Sequence, residues 1–362
     1  MRRRIKKVFG NVKGRLDAIV LKNSTYPHVD MNFFYVTGLV SGLFEESIAI
    51  LRPDLSLHVI TSQLEEQSAR RGREMEISVF KSKRERTALL MEGLGRTKAI
   101  GVDKAELVSS DYDALVKGLP SAKFRDVSGA FGLARLVKDP DEIELVGKAA
   151  RIASKVLGDP GELICPGRRE YELAAELNYM MQKGGAASAA FETIVASGPN
   201  AAEPHYVPGA KRVRKGEVVL IDMGANYMRY CSDITRTYVP GKASRTQKEM
   251  FETVMLAREA ALKEVRAGTK GKDVHMAAQE QIDRTKFKGR FTHGIGHGIG
   301  LAIHDNGRLA PKVDMSLRSG MIFTIEPGIY LPGYGGVRIE DDILVTKNGY
   351  KFLTNAPITL EI

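Results

Sequence analysis

Hydrophobic positions in the first third of the chain fall into short runs separated by charged stretches. Ala18–Leu21, Phe33–Val36, Ser47–Leu51, Leu57–Ile60, Ile77–Phe80 and Ala99–Val102 read as buried strands, because short apolar runs rich in β-branched and aromatic residues fit a covered, pleated surface. Gln63–Arg73, Arg84–Gly93 and Ala105–Lys117 place charges and apolar residues at helical spacing and read as helices. Tyr35, Thr37 and Gly38 make a polar break after an aromatic strand and read as a turn. The alternation predicts a small α/β domain over residues 1–135.

From Lys138 the pattern changes. Asp139-Pro140-Asp141-Glu142 is a helix start, since proline fits the first turn and acids favour the positive end of the helix dipole. That helix is expected to reach Leu157, before Gly158-Asp159-Pro160-Gly161, and further helices are expected at Arg169–Lys183, Ser244–Arg266 and Gly271–Arg284. The strands between them carry acids. Val218–Ile221 runs into Asp222, Tyr230–Tyr238 contains Asp233, Met321–Ile325 runs into Glu326, and Val337–Val345 holds Glu340 inside it. The first two read as a hairpin whose aspartates face each other across the pair.

The stretch from Phe291 to His304 is denser still, holding His293, His297 and His304 out of only 7 histidines, with glycines between them. Ile295, Ile299, Leu301 and Ile303 alternate with small residues or histidine as in a half-buried strand, which would line a shielded wall with neutral imidazoles. Asp222, Asp233, His297, Glu326 and Glu340 together give four carboxylates and one imidazole on apolar strands. Carboxylates buried so close would repel one another unless cations sit between them. Two divalent ions match that charge, and oxygen-rich ligation favours a Mn-, Co- or Fe-like pair. A water bridging ions about 3.5 Å apart is a hydroxide near neutral pH, which points to hydrolysis.

Composition narrows the class. The 362 residues suffice for two domains, and 43% hydrophobic with 27% charged residues is ordinary for a soluble globular protein. No run approaches the roughly 20 apolar residues of a membrane helix, and Met1–Gly10 is basic rather than apolar, so no membrane association and a cytoplasmic location are expected. Cys165 and Cys231 fit neither a disulfide framework nor a zinc motif. The net charge of +10 is scattered apart from Arg2–Lys7, Lys81–Arg86 and Lys211–Lys215, clusters without the interleaved aromatics of a base-stacking surface, so nucleic acid is disfavoured as a partner.

The runs Ile221-Asp-Met-Gly, Ser232-Asp-Ile-Thr-Arg-Thr, His293-Gly-Ile-Gly-His-Gly-Ile-Gly, Ile325-Glu-Pro-Gly and Val337-Arg-Ile-Glu-Asp resemble the pita-bread metallopeptidases, in the branch that holds Xaa-Pro dipeptidase (prolidase) and aminopeptidase P. The resemblance is detailed from residue 138 onward and weaker before it. It implies an α/β (α+β) protein, with a creatinase-like N-terminal domain over residues 1–135 and a pita-bread catalytic domain over 136–362. It also implies two divalent ions per subunit (Mn or Co favoured over Fe or Zn), held by Asp222, Asp233, His297, Glu326 and Glu340, with Glu326 as proton shuttle. His205 and His304 match the substrate-side histidines, Arg308 matches an arginine for a dipeptide's terminal carboxylate, and His293 and Arg338 would support the ligands from behind.

The implied reaction is cleavage of the Xaa-Pro bond of dipeptides by a metal-bridging hydroxide, in a homodimer acting on short proline-containing peptides. Aminopeptidase P activity on Xaa-Pro-Yaa peptides is the alternative. A metal-free creatinase-type hydrolase and a non-enzymatic nucleic-acid-binding relative stand further off. Asp305 and Asp342 depart from residues common in the family, and the resemblance assigns no role to the basic N-terminal tail.

Overall fold

The computed structural model describes all 362 residues, the Glu162 side chain aside, and divides into two compact units, Met1–Arg135 and Leu136–Ile362. The first is built on a six-stranded sheet of β1 (Ala18–Lys22), β2 (Ile48–Leu51), β3 (Leu57–Ser62), β4 (Glu76–Phe80), β5 (Ala99–Val102) and β6 (Lys123–Asp126), in the order β4-β3-β2-β1-β5-β6. β2 runs antiparallel to β1 and β3, and the other pairings are parallel. Every residue of β1 and β2 is buried, as their unbroken apolar runs require. Helices α1 (Arg2–Asn11), α2 (Met31–Thr37), α3 (Glu66–Ala69), α4 (Lys83–Leu94), α5 (Ser109–Gly118) and α6 (Ser128–Leu136) complete the sequence of elements to the boundary.

Two expectations fail here, and the basic tail shows an element that the sequence pattern did not predict. Phe33–Val36 is not a strand but the body of α2, which Asp30 caps by accepting the Asn32 N–H at 2.7 Å and which ends at Gly38 in the left-handed region (φ 68°). All of Phe33–Val36 is buried, with Phe33, Phe34 and Phe44 in ring contact, so this helix has no polar face to reveal its period. The basic tail is a helix: Ile5 and Val8 lie one turn apart and are buried, while its charges mostly point outward. The helix expected over Gln63–Arg73 shortens to the single turn of α3.

The second unit begins with α7 (Pro140–Val156), closed by a capping box in which Asp139 and Glu142 exchange side-chain and backbone bonds. After α8 (Pro160–Leu163) and α9 (Glu170–Lys183) come β7 (Ser188–Ala189), β8 (Ile194–Ser197), β9 (Val219–Met223), β10 (Ala225–Tyr227), β11 (Tyr230–Cys231) and β12 (Ile234–Tyr238). The antiparallel order β12-β9-β8 forms one sheet and β11-β10-β7 another. Helices α10 (Arg245–Glu264) and α11 (Gly271–Asp283) then share a core with the second half's strands, through residues such as Val254, Val274, Phe323 and Ile343. Those strands are β13 (Gly296–Gly298), β14 (Asp305–Leu309), β15 (Ile322–Ile325), β16 (Gly328–Leu331), β17 (Gly335–Arg338), β18 (Asp341–Val345) and β19 (Tyr350–Phe352). They form a sheet β14-β13-β15-β18-β19 and a separate pair β16-β17.

The histidine-glycine stretch is strand only at β13, with a bulge between His297 and Gly298. Ile295 and Ile299 are still fully buried, so the alternation marked burial correctly but not the length of the pairing. Gly296 is there because the neighbouring strand comes too close for a side chain: a Cβ would sit 1.9 Å from the Thr324 carbonyl oxygen. Asp222 pairs with Thr235 and Met223 with Ile234, so the two aspartates do not face each other. Asp233 lies just past the paired stretch, diagonal to Asp222.

Gly296→Ala should therefore destabilise the protein by about 1–3 kcal/mol or more in denaturant unfolding. Gly349→Ala, where a Cβ meets nothing within 4 Å, should change stability by less than about 0.5 kcal/mol.

Candidate metal centre

The acids picked out in the sequence converge where strands of the second unit end. Asp222 is on β9, Asp233 precedes β12, His297 is the middle residue of β13, and Glu326 follows β15. Glu340, expected inside a strand, instead occupies the joint between β17 and β18, where the chain can turn its carboxylate to the cluster. Asp233, His297 and Glu340 each offer one ligand atom, all within 4.8 Å of one another. His297 Nε2 is 3.5 Å from Asp233 Oδ2 and 3.6 Å from Glu326 Oε1. Its Nδ1 lies 3.1 Å from the Gly298 carbonyl oxygen, which favours the ring proton on that side and leaves the Nε2 lone pair facing the acids.

The charge in this space is one-sided. Asp222, Asp233 and Glu340 are all buried. Burial pushes the Asp233 carboxyl well above the usual range, and the charges of Glu340, Asp222, Asp342 and Glu326 push it further. Glu340 is raised by burial and then by Glu326 and Asp222, against the opposing pull of Arg338 and the Thr235 hydrogen bond. Arg338 is a buried cation of this cluster and donates from Nη2 to Asp222 Oδ2 at 2.5 Å. Oδ1 of Asp222 and Oδ1 of Asp233 are buried without a hydrogen-bond partner among the described residues. Unpartnered carboxylate oxygens beside an imidazole lone pair are a donor set that fits a divalent cation.

Around the acids, hydrogen bonds fix their orientation. Thr235 Oγ1 donates to Glu340 Oε2 at 2.5 Å and accepts from Arg338 Nε at 3.1 Å. The Glu340 N–H donates to the Thr235 carbonyl at 3.1 Å, and Asp342 Oδ2 accepts the Asp233 N–H at 2.9 Å. Tyr330 joins two basic residues, its hydroxyl accepting from Arg338 Nη1 at 2.9 Å and lying 2.9 Å from His293 Nε2. Burial holds the Tyr330 phenol at about 12, so it stays neutral here. His293 Nδ1 is 3.9 Å from Glu326 Oε2. Sequence reasoning missed Thr235 and Tyr330; the available signal was hydroxyl residues at buried positions of strands flanked by the acids.

The remaining candidates lie on the open side. The His304 ring meets that of His297 edge-on at 4.5 Å, and burial lowers the pKa of His304. His205 stands exposed on an irregular segment, within electrostatic reach of both His293 and His304. Arg308 is exposed on β14, directly opposite His297 in the β13–β14 ladder, so the two side chains leave the same face. Arg338 is the deepest of these groups, whereas His205 and Arg308 are at the rim.

Comparison with known proteins gives consistent matches. The profile of metallopeptidase family M24 matches residues 144–347, and that of the creatinase/prolidase N-terminal domain matches residues 11–137. The Xaa-Pro dipeptidase of Pyrococcus horikoshii is 36% identical over 355 residues, covering 98% of this chain and 97% of that protein. The solved Xaa-Pro dipeptidase from Bacillus anthracis superposes with a TM-score of 0.91 at 32% identity over 99% of both chains. The X-Pro aminopeptidase from Thermotoga maritima MSB8 gives 0.90 at 32% identity, covering 96% of this chain and 98% of that one.

The raised carboxyls generate a pH prediction. Asp233 and Glu340 titrate higher folded than unfolded, so the folded chain binds more protons and its stability falls as pH rises above the ordinary carboxylate range. Chelator-treated protein should lose melting temperature as pH is raised above about 5. Saturating divalent metal should remove most of that loss.

Proposed function

This chain belongs to metallopeptidase family M24, with a creatinase-type α/β domain followed by a pita-bread catalytic domain, and on that premise we propose that it is an Xaa-Pro dipeptidase (prolidase) acting on short proline-containing peptides. The observation that carries the reading is the buried cluster of carboxylates around His297, with oxygens of Asp222 and Asp233 left unpartnered. In this reading Asp222, Asp233, His297, Glu326 and Glu340 hold two divalent ions, with Mn or Co favoured over Fe or Zn. Bound there, such ions would polarise the scissile carbonyl and make a water nucleophilic near neutral pH.

The chain's own residues do the rest. Glu326, hydrogen-bonded by Thr324 Oγ1 at 3.2 Å, takes a proton from the attacking water and delivers it to the leaving imino nitrogen. His205 and His304 donate to the carbonyl oxygen as it gains negative charge. Arg308 offers a guanidinium fork to the dipeptide's terminal carboxylate, supported by its place opposite His297. An Xaa-Pro bond lacks the amide hydrogen by which many proteases grip an extended backbone, and this arrangement does not need it. His293 and Arg338 hold Glu326, Tyr330 and Asp222 in place from behind. A homodimer and a cytoplasmic location are part of the same proposal, and no helix of the described residues is long and apolar enough to cross a membrane.

Aminopeptidase P activity is the second reading, favoured by the likeness to the Thermotoga maritima aminopeptidase and by the exposure of Arg308 at an open rim.

Metal-loaded protein should hydrolyse Xaa-Pro dipeptides, and Asp233→Ala should reduce that to background. Arg308→Ala should raise KM for dipeptides about tenfold or more, as expected for losing a charged hydrogen-bonded pair, and should barely change KM for Xaa-Pro-Yaa. Cleavage of tripeptides but not dipeptides by the wild type would replace the dipeptidase reading with the aminopeptidase one.

A further inference from the structure

His205 is carried by a segment with almost no regular structure: a 3-10 turn over Gly198–Ala202, then irregular chain to Gly209. An exposed imidazole on such a segment has its place set by whatever holds the backbone. One buried carboxylate does so. Glu170, the first residue of α9, is fully buried. Its Oε1 accepts the Ser197 N–H at 2.8 Å, the Ser197 hydroxyl at 2.7 Å and Asn200 Nδ2 at 3.0 Å. Its Oε2 accepts the Tyr206 hydroxyl at 2.9 Å and the Gly209 N–H at 3.2 Å.

These donors come from both sides of His205, so a single side chain ties together the two ends of the segment that presents it. They also fill the lone-pair positions a carboxylate has to offer. Against its other side the segment meets the backbone of β17: a Cβ on Gly336 would sit 2.0 Å from the Ala201 carbonyl oxygen. Arg338 Nη1, on the same strand, is 3.5 Å from the Pro204 carbonyl oxygen. The segment is therefore pinned between a helix start and the strand that leads to Glu340.

We propose that Glu170 is a positioning residue for peptide-bond cleavage, locking the 197–209 segment so that His205 stands over the substrate carbonyl. It rests on the role given to His205 above. The replacement Glu170→Gln keeps the shape but turns an amide donor toward donors it cannot satisfy, which frees the segment.

The test is a double-mutant cycle on an Xaa-Pro dipeptide, with Glu170→Gln, His205→Ala and the pair, all metal-loaded. Glu170→Gln should lower kcat on the order of 10²-fold, the loss expected for a misplaced catalytic group, with KM and bound metal changed less than about twofold. In the His205→Ala background the same change should cost less than about threefold, because its effect passes through the group already removed. Wild-type turnover in Glu170→Gln, or an equal loss in both backgrounds, overturns the proposal. Wild-type turnover in His205→Ala removes instead the role assigned to His205, and the proposal with it. If Glu170→Gln does not fold, Tyr206→Phe takes its place in the cycle: a several-fold loss absorbed by His205→Ala supports the proposal, and full turnover contradicts it.

Discussion

The constraint on which the rest of the second unit depends is the crowding of like charges in a dry place. Asp222, Asp233, Glu326 and Glu340 come together where β9, β12, β13, β15 and the β17–β18 joint meet, and burial raises the cost of the negative charges on Asp233 and Glu340. A fold that left these groups alone would push them apart or keep them protonated. The structure instead holds them in place by hydrogen bonds from the chain and leaves Oδ1 of Asp222 and Oδ1 of Asp233 without hydrogen-bond partners among the described residues. Such an arrangement is stable in the ionised form only when positive charge takes up the middle.

The holding frame is itself ionic and buried. Arg236, 1% exposed, donates to the carbonyl oxygens of Thr235, Glu340, Ala356 and Pro357 and to Asp341 Oδ1, so its guanidinium joins β12, the Glu340 joint and the C-terminal segment. Asp341 also accepts from Arg258 and from Thr354. Removing one member of such a network leaves a buried charge uncompensated, which makes the frame rigid as well as stable. The Glu340 backbone thus inherits its position from residues that never face the cluster. Glu170 plays a similar part for the exposed side, fixing an irregular segment through one saturated carboxylate.

Much of this was legible in the sequence, and the reasons differ by element. Charged residues on apolar strands are rare enough that Asp222, Asp233, Glu326 and Glu340 stood out, and the helix-start signal at Asp139 marked a helix the structure contains. The helix α2 was hidden because burial on all sides erases the helical period, and α1 because two apolar residues one turn apart are a faint signal among so many charges. The offset of Asp222 and Asp233 depends on register, which residue types alone do not specify. Thr235, Tyr330, Arg236 and Glu170 were missed for a different reason: their importance lies in partners more than a hundred positions away or on another element, as with Thr235 and Glu340. Sequence patterns find groups whose burial is costly; they do not show which neighbours make it tolerable.

The central claim is that this acid cluster exists to be neutralised by divalent cations held at its centre. Elemental analysis of protein saturated with Mn or Co and then freed of excess metal tests it most directly. The account predicts about two ions per chain, in keeping with a dinuclear centre, and their loss on replacing Asp233 by alanine. A chain that retains no divalent metal under those conditions, or binds the same amount without Asp233, would contradict it.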